Sequence, residues 1–354
     1  MTTDTQQHDS TAGLGAAAPR GNQRLGPTWL SWHWHQRTAA ITQEWGIEWI
    51  MLDTRRHGLA RYVKLLGRSL AALWRLRRST VIVQSPSLLL ATLAIIVAPV
   101  FRLRLIIDAH NESVQPFAQD AALIRRLIRM VVRRAEMVIV TNEELADAIR
   151  RNGGRPFVLP DAIPVAPPDI ARPRQTLLPV VLVICTYAAD EPVPVFIETA
   201  LRLAETAEIR LTGRPPRKAK DLLDRAPRNL VPLGFLSESD YWAELRGAQC
   251  VVDLTLKPNC LVCGGYEAIA VGKSPILSDD VSSRRLFGEV ATFVDNTAEG
   301  LASAILKRLA GGEVSCGTIH EFRDRYMFRW RQRLKALSRA LMSSGLSDDE
   351  AVHS

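Results

Sequence analysis

Cysteine is scarce in this chain: five in 354 residues, an odd number. Without a secretion signal, such a count builds no disulfide framework and suits a reducing cytosol. Cys260 and Cys263 form a Cys-x-x-Cys, but a structural zinc site needs a second Cys or His pair, and none sits at suitable spacing. The pair is read as two small thiols lining a tight loop. No basic start leads into an apolar stretch, so no signal peptide is expected. The apolar run SLLLATLAIIVAPVF (87–101) is shorter than the roughly twenty residues a spanning helix needs, and Pro99 interrupts it, which predicts a buried or interfacial helix. No recognised nucleic-acid-binding motif is present, and no nucleic-acid partner is expected. Gly272-Lys273-Ser274 is not a triphosphate loop, because the motif needs glycine where Glu267 stands and a helix after it rather than before.

What is present is an ordinary globular composition, 47% hydrophobic and 23% charged, in a chain long enough for two cores. Residues 1–25 are small, polar and aperiodic, and are expected to be a disordered tail; GLGAAA within them has no preceding strand to make it a dinucleotide fingerprint. The 45 Lys+Arg exceed the 37 Asp+Glu, giving a net charge of +8. The excess clusters at 61–78, 124–135 and 322–339, each arginine-rich with leucine or aromatic residues at helical spacing. These read as amphipathic helices whose basic faces either meet an anionic membrane surface or are simply solvated.

From Pro27 onward, continuously apolar strand-like runs alternate with helical patterns, which suits parallel sheets covered on both faces. Six prolines between 159 and 179 mark a linker, after which the alternation resumes. The predicted fold class is α/β, with two doubly wound Rossmann-like domains facing each other across a cleft. The expected boundaries are an N-terminal domain at 26–170 and a C-terminal domain at 171–315. The basic helix and tail at 316–354 are expected to pack back on the N-domain.

LTLKPNCLVCGGYEAIA reads as a strand, a loop and a helix opening at Gly264-Gly265-Tyr266. Glycines there let backbone N–H groups approach an anion, and the helix dipole adds roughly half a positive charge. Glu267, expected in the first turn, either complements that dipole or accepts hydrogen bonds from vicinal hydroxyls. GGYEAIAVGKSPILSDD resembles the donor-site signature of GT-B glycosyltransferases, in particular family-4-like retaining enzymes of bacterial surface-polysaccharide synthesis. The stretches from VIVTNEELADAIRRNGGRPFVLPDAIP through LTGRPP and NLVPLGFLSESDYWAELRGAQCVVDLT to FVDNTAEGLASAI agree in order, so the likeness covers roughly residues 27–310.

The resemblance implies transfer of a sugar from a nucleotide-diphosphate-sugar co-substrate, with no other cofactor and no metal; the chain also lacks Asp-x-Asp, which argues against the metal-dependent GT-A enzymes. Glu267 would hold the donor ribose, and the Gly264 and Gly265 amides, beside Tyr266, would meet the diphosphate. His110 would face the donor sugar at its reacting carbon, with Asn111 beside it and Trp32, His33 and His35 on the acceptor side. Two departures stand out. Asn259 occupies the position where such enzymes often carry a second glutamate, and CTYAADEPVP replaces the usual Arg and Lys phosphate clamp. Gly213, Arg214 and Lys218, after LTG, and Lys257 are the substitute donor-binding candidates. The implied acceptor is a polyprenyl-diphosphate-linked or other glycan, with the enzyme cytoplasmic and peripheral on the inner face of the plasma membrane. The alternatives are a non-catalytic sugar-nucleotide-binding or scaffold subunit, or a nucleotide-sugar epimerase.

Overall fold

The computed structural model describes residues 26–85, 87–114, 122–167, 176–312 and 314–343. The expected N-terminal tail, the centre of the proline linker and the last eleven residues lie outside them. Twelve strands form among the described residues, at the apolar runs of the sequence. In the N-domain these are β1 (Thr28–Ser31), β2 (Trp49–Met51), β3 (Thr80–Ser85), β4 (Arg104–Ala109), β5 (Met137–Val140) and β6 (Pro156–Val158). They form one parallel sheet in the order β2-β1-β3-β4-β5-β6. In the C-domain, β7 (Val180–Val183), β8 (Glu208–Thr212), β9 (Leu230–Gly234), β10 (Cys250–Asp253), β11 (Pro275–Ser278) and β12 (Thr292–Val294) form a second. Its order, β12-β11-β10-β7-β8-β9, reverses direction between β7 and β10. In the first sheet the reversal falls between β1 and β3. Such switch points open a crevice beyond the strand carboxyl ends.

Period-two alternation sends successive side chains to opposite faces, and here both faces are dry. On one side of the N-sheet, Leu30, Val81, Val83, Leu105 and Ile107 meet α2 (Gly58–Arg75), α3 (Leu88–Phe101), α4 (Ala122–Arg134) and α5 (Glu143–Arg151). On the other, Trp29, Ile82, Ile106 and Ile139 are covered by α1 (Gln36–Trp45) and by α12 (Cys316–Ser343) from the far end of the chain. The C-sheet is sandwiched likewise, between α6 (Val193–Arg202) with α11 (Ala298–Leu309) and a layer of α8 (Glu238–Gly247), α9 (Cys263–Ala270) and α10 (Val281–Phe287). A short helix, α7 (Arg217–Leu223), joins β8 to β9. The 87–101 run forms α3 with Pro99 inside it, and no helix among the described residues is long and apolar enough to cross a membrane.

Helix α12 belongs to both domains. At 28 residues it is about 42 Å long at 1.5 Å per residue. Ile319 and Phe322, near its start, pack with Tyr266 and Phe287 of the C-domain. Trp330, Leu334, Leu337 and Leu341, one or two turns apart, pack on the N-sheet. The Trp330 indole N–H donates to Pro160 O (2.9 Å), and Arg104 donates to Leu341 O (2.8 Å) at the helix's carboxyl end, where a cation complements the dipole. Trp330→Ala should therefore lose about 3–5 kcal/mol of stability, as expected for an aromatic-to-alanine cavity. Urea unfolding followed by circular dichroism measures this, and a loss under about 1 kcal/mol would show that α12 is not packed as described.

Candidate functional site

The C-domain switch point lies between the ends of β7 and β10. Asp253, the last residue of β10, is 7% exposed and accepts the Gly264 N–H at 2.8 Å. A side chain at Gly264 would put its Cβ 2.4 Å from Ile184 Cδ1 and 2.6 Å from that same carboxylate. Glycine is thus required for close approach of α9 to the strands. This corrects the expectation for the glycine pair: the Gly264 amide is taken by Asp253, and the Gly265 amide donates to Val262 O (3.3 Å). Helix α9 also begins at Cys263, earlier than expected, so Glu267 stands in its second turn. The reason is that Asp253 caps the helix from a neighbouring strand, while the N-cap residue Val262 offers no side-chain acceptor.

Glu267 is half-buried and accepts the Tyr241 phenol O–H. Burial raises its pKa, and the Tyr241 hydrogen bond works against that rise. Asp253 is pushed well above the usual carboxylate range, chiefly by burial and further by the charges of Glu267, Glu191 and Asp190, with the Gly264 N–H opposing. Glu191 sits in a nest at the end of β7. Its carboxylate accepts the Thr186 N–H (2.9 and 3.0 Å), the Ala188 N–H (2.9 Å), the Thr186 hydroxyl (2.9 Å) and the Cys185 thiol (3.2 Å). Burial pushes the Cys260 thiol up to about 12, which keeps it protonated at neutral pH, while Cys263 is exposed. All five cysteines are free, and no group of three or more His, Cys, Asp or Glu side chains among the described residues is placed to hold a metal ion.

Across the cleft, Asn142 follows β5, and His110 and Asn111 follow β4 in a short 3-10 turn. The His110 Nε2 lies 3.7 Å from Asp108 Oδ2 and 3.5 Å from Gln84 Nε2, and its ring meets His35 edge-on at 4.6 Å. His35 caps α1, its Nδ1 accepting the Arg37 N–H (3.2 Å). Burial, then the neighbouring His110, lowers the His35 pKa to about 4. Arg37 is fully enclosed, with Nε 3.0 Å from Asp108 Oδ1 and a terminal nitrogen 2.6 Å from Asp161 Oδ1. Asp161 follows β6, and its carbonyl accepts the Tyr326 O–H of α12 (2.6 Å).

The two halves meet at Asn259. Its carbonyl accepts the side-chain amides of both Asn111 (2.9 Å) and Asn142 (3.0 Å), while its own N–H donates to Asp280 (3.0 Å). Glu144 adds a second bridge, accepting the Ser282 hydroxyl (2.7 Å) and pairing with Arg285 (2.8 Å). Tyr266 of α9 meets Tyr326 with ring centroids 6.1 Å apart, and Tyr326 holds the Asp161 carbonyl, so the start of α9 lies beside the Arg37 cluster.

Several sequence-derived candidates take other positions. Trp32 is 3% exposed and spends its indole N–H on Ser69 of α2 (2.8 Å), so it is core rather than acceptor surface. His33 points along α2 toward Arg61 (3.5 Å) and does not join His35. Tyr266 is buried against Phe287 (ring centroids 5.0 Å apart) and is core as well. Gly213 has φ +80°, and a Cβ there would lie 2.1 Å from Cys185 O, so it is required for packing β8's exit on β7. Arg214 is exposed and Lys257 half-buried, while the side chain of Lys218 lies outside the described residues. Sequence reading missed Arg37, Asp161, Tyr241, Glu191 and Asp253. Only Asp253 carried a signal, an acid ending a buried apolar strand.

No protein-family model matches the chain, and no curated protein matches its sequence. Solved structures do match. HepE from Anabaena in complex with UDP and glucose superposes with a TM-score of 0.66 over 91% of this chain and 99% of that one, at 13% identity. Sucrose-phosphate synthase from Thermosynechococcus elongatus gives 0.64 over 93% and 100%, at 14% identity. A glycosyltransferase from Rickettsia africae gives 0.67 over 90% and 99%, at 10% identity. Twin parallel sheets joined in this way, superposing over nine-tenths of the chain on such structures, make this a GT-B fold.

Proposed function

We propose that the protein transfers a sugar from a nucleotide-diphosphate-sugar to a glycan or lipid-linked acceptor. The observation that carries this reading is the face-to-face meeting of two strand-end edges, with the Asn259 carbonyl held by Asn111 and Asn142. It sets the Glu267 helix against the cluster of Arg37, Asp161, His35 and His110. HepE, which shares the fold, has been crystallised with UDP and with UDP-glucose.

In this reading the donor ribose sits at Glu267, whose Oε2 holds Tyr241 and whose other oxygen accepts a ribose hydroxyl. Departure of the diphosphate builds negative charge, stabilised by the α9 dipole and by Arg214, Lys218 or Lys257. His110 faces the sugar as it becomes oxocarbenium-like, and the closed cleft excludes the water that would hydrolyse the donor. Retention of configuration, metal independence and participation in surface-polysaccharide synthesis belong to the same proposal. So does peripheral attachment to the cytoplasmic leaflet, supported by Leu59, Tyr62, Val63, Leu70 and Trp74, which α2 exposes beside its basic residues.

One observation favours a second reading, that of a binding or scaffold subunit without turnover. At the end of β7, where the resemblance expects phosphate-clamping cations, the Thr186 and Ala188 amides hold the chain's own Glu191.

A thermal-stabilisation screen of UDP, GDP, ADP and their sugars identifies the donor, since a ligand that binds only the folded state raises its stability. Glu267→Ala should weaken that nucleotide at least about tenfold by calorimetry, or about 1.4 kcal/mol, and abolish turnover. Unchanged affinity would remove Glu267 from the donor site. Nucleotide binding with no turnover across an acceptor panel would select the second reading.

The His35 pair makes a pH prediction. Its folded pKa of about 4 lies below the ordinary 6.5, so between those values the unfolded chain binds more protons than the native one. Its contribution to stability is fully present above about pH 6.5 and is lost as pH falls toward 4. Protonation also removes the Nδ1 lone pair that caps α1. His35→Asn keeps a capping acceptor that does not titrate, and should flatten the fall in urea-unfolding stability between pH 7 and pH 5. An equal fall in both proteins would contradict this account.

A further inference from the structure

Behind the Asp161–Tyr326 contact, α12 and α10 close over the ends of β5 and β6 to leave a crevice of about 230 Å³. Glu267, Asp253, Tyr241 and His110 do not line it. Four arginines do: Arg285 of α10 and Arg325, Arg329 and Arg333, spaced four apart along α12. Three carboxylates line it too, and each is already engaged. Glu144 pairs with Arg285 (2.8 Å), Glu289 with Arg325 (2.5 Å), and Glu143 with Arg150 outside the crevice (3.5 Å). Arg329 and Arg333 have no carboxylate partner among the described residues. Like charges one helical turn apart repel, and here they do so beside a concavity, so an anion seated there relieves a cost the free protein carries.

The rest of the lining narrows the ligand. Trp330 and Tyr326 have spent their donors on the Pro160 and Asp161 carbonyls, so they offer the crevice ring surface only. Phe322, Leu261 and Leu286 extend that apolar wall. The free donors are therefore the guanidinium forks and the Thr141 hydroxyl, all suited to an acceptor-only group, the forks bidentately. A phosphate monoester carries close to two negative charges, matching two unpaired arginines. The volume is below the roughly 300–1,000 Å³ of sites for drug-sized molecules, which limits the body to about one ring. The occupant would touch both domains, because β5 and β6 belong to one and α10 to the other.

We propose that this crevice is a second ligand site, taking a small phosphorylated molecule with one apolar ring. Phenyl phosphate is the probe. By calorimetry the full-length protein should bind it saturably, R329A/R333A at least tenfold more weakly, and Glu267→Ala as well as wild type. Both arginines are exposed, so the double variant is expected to fold, which circular dichroism checks. Absence of binding, or equal binding by the double variant, would overturn the site. So would a loss confined to Glu267→Ala, which would move the probe to the donor cleft. Phosphatidylglycerol vesicles that bind wild type but not R329A/R333A, with no phenyl phosphate binding, would overturn the small-molecule assignment in favour of a lipid headgroup.

Discussion

A parallel sheet has two apolar faces, and every consequence of this architecture follows from how the second face of the N-sheet is covered. Helix α1 is ten residues long and cannot cover Trp29, Ile82, Ile106 and Ile139 by itself. The cover is completed by α12, which reaches the N-sheet only after packing on Tyr266 and Phe287 of the C-domain. The hydrophobic demand of one core thus ties the two domains together. It brings Tyr326 to Asp161, and Asp161 to Arg37, so a packing requirement becomes a charged network at the cleft.

That network has an electrostatic counterpart on the C-domain which is unusual for an anion site. Asp190, Glu191, Asp253 and Glu267 gather at the switch point, and two of them use backbone amides that an incoming phosphate would otherwise occupy. Asp253 takes the amide of Gly264, and Glu191 those of Thr186 and Ala188. Each carboxylate compensates dipoles that would be left unsatisfied without ligand. A diphosphate arriving here meets like charge, and the helix field alone supplies only about half a charge against it. A donor site in this place would need cations to offset the carboxylates, or a protonated Asp253, whose burial already favours the neutral form.

The strands and the domain count were legible because parallel strands buried on both faces leave continuous apolar runs, as in STVIVQ and RLRLIIDA. What was not legible is whatever depends on pairing across the chain. Nothing local in QRTAAITQEW announces that Arg37 will be enclosed by Asp108, 71 positions away, and Asp161, 124 away. Glycines misled for a related reason. Gly264 was read as an amide open to a ligand and Gly213 as a donor-binding candidate, whereas close approach to Asp253 and to Cys185 O already requires glycine at both. Trp32 immediately precedes His33 in sequence, yet just beyond the end of β1 it turns into the core to meet Ser69 while His33 stays outside.

Asn259 shows how backbone geometry accounts for a departure in sequence. The resemblance expects an acid there, and the chain carries asparagine at φ 57°, in the left-handed region. Among residues with a side chain, asparagine tolerates that region best, and glutamate does so poorly. The left-handed turn aims the Asn259 carbonyl at Asn111 and Asn142 while its N–H meets Asp280. One residue therefore closes hydrogen bonds to two strand ends of the opposite domain through its main chain, which no side-chain substitution removes directly. The position where the resemblance expects a second acid thus serves, through its main chain, to hold the two domains together.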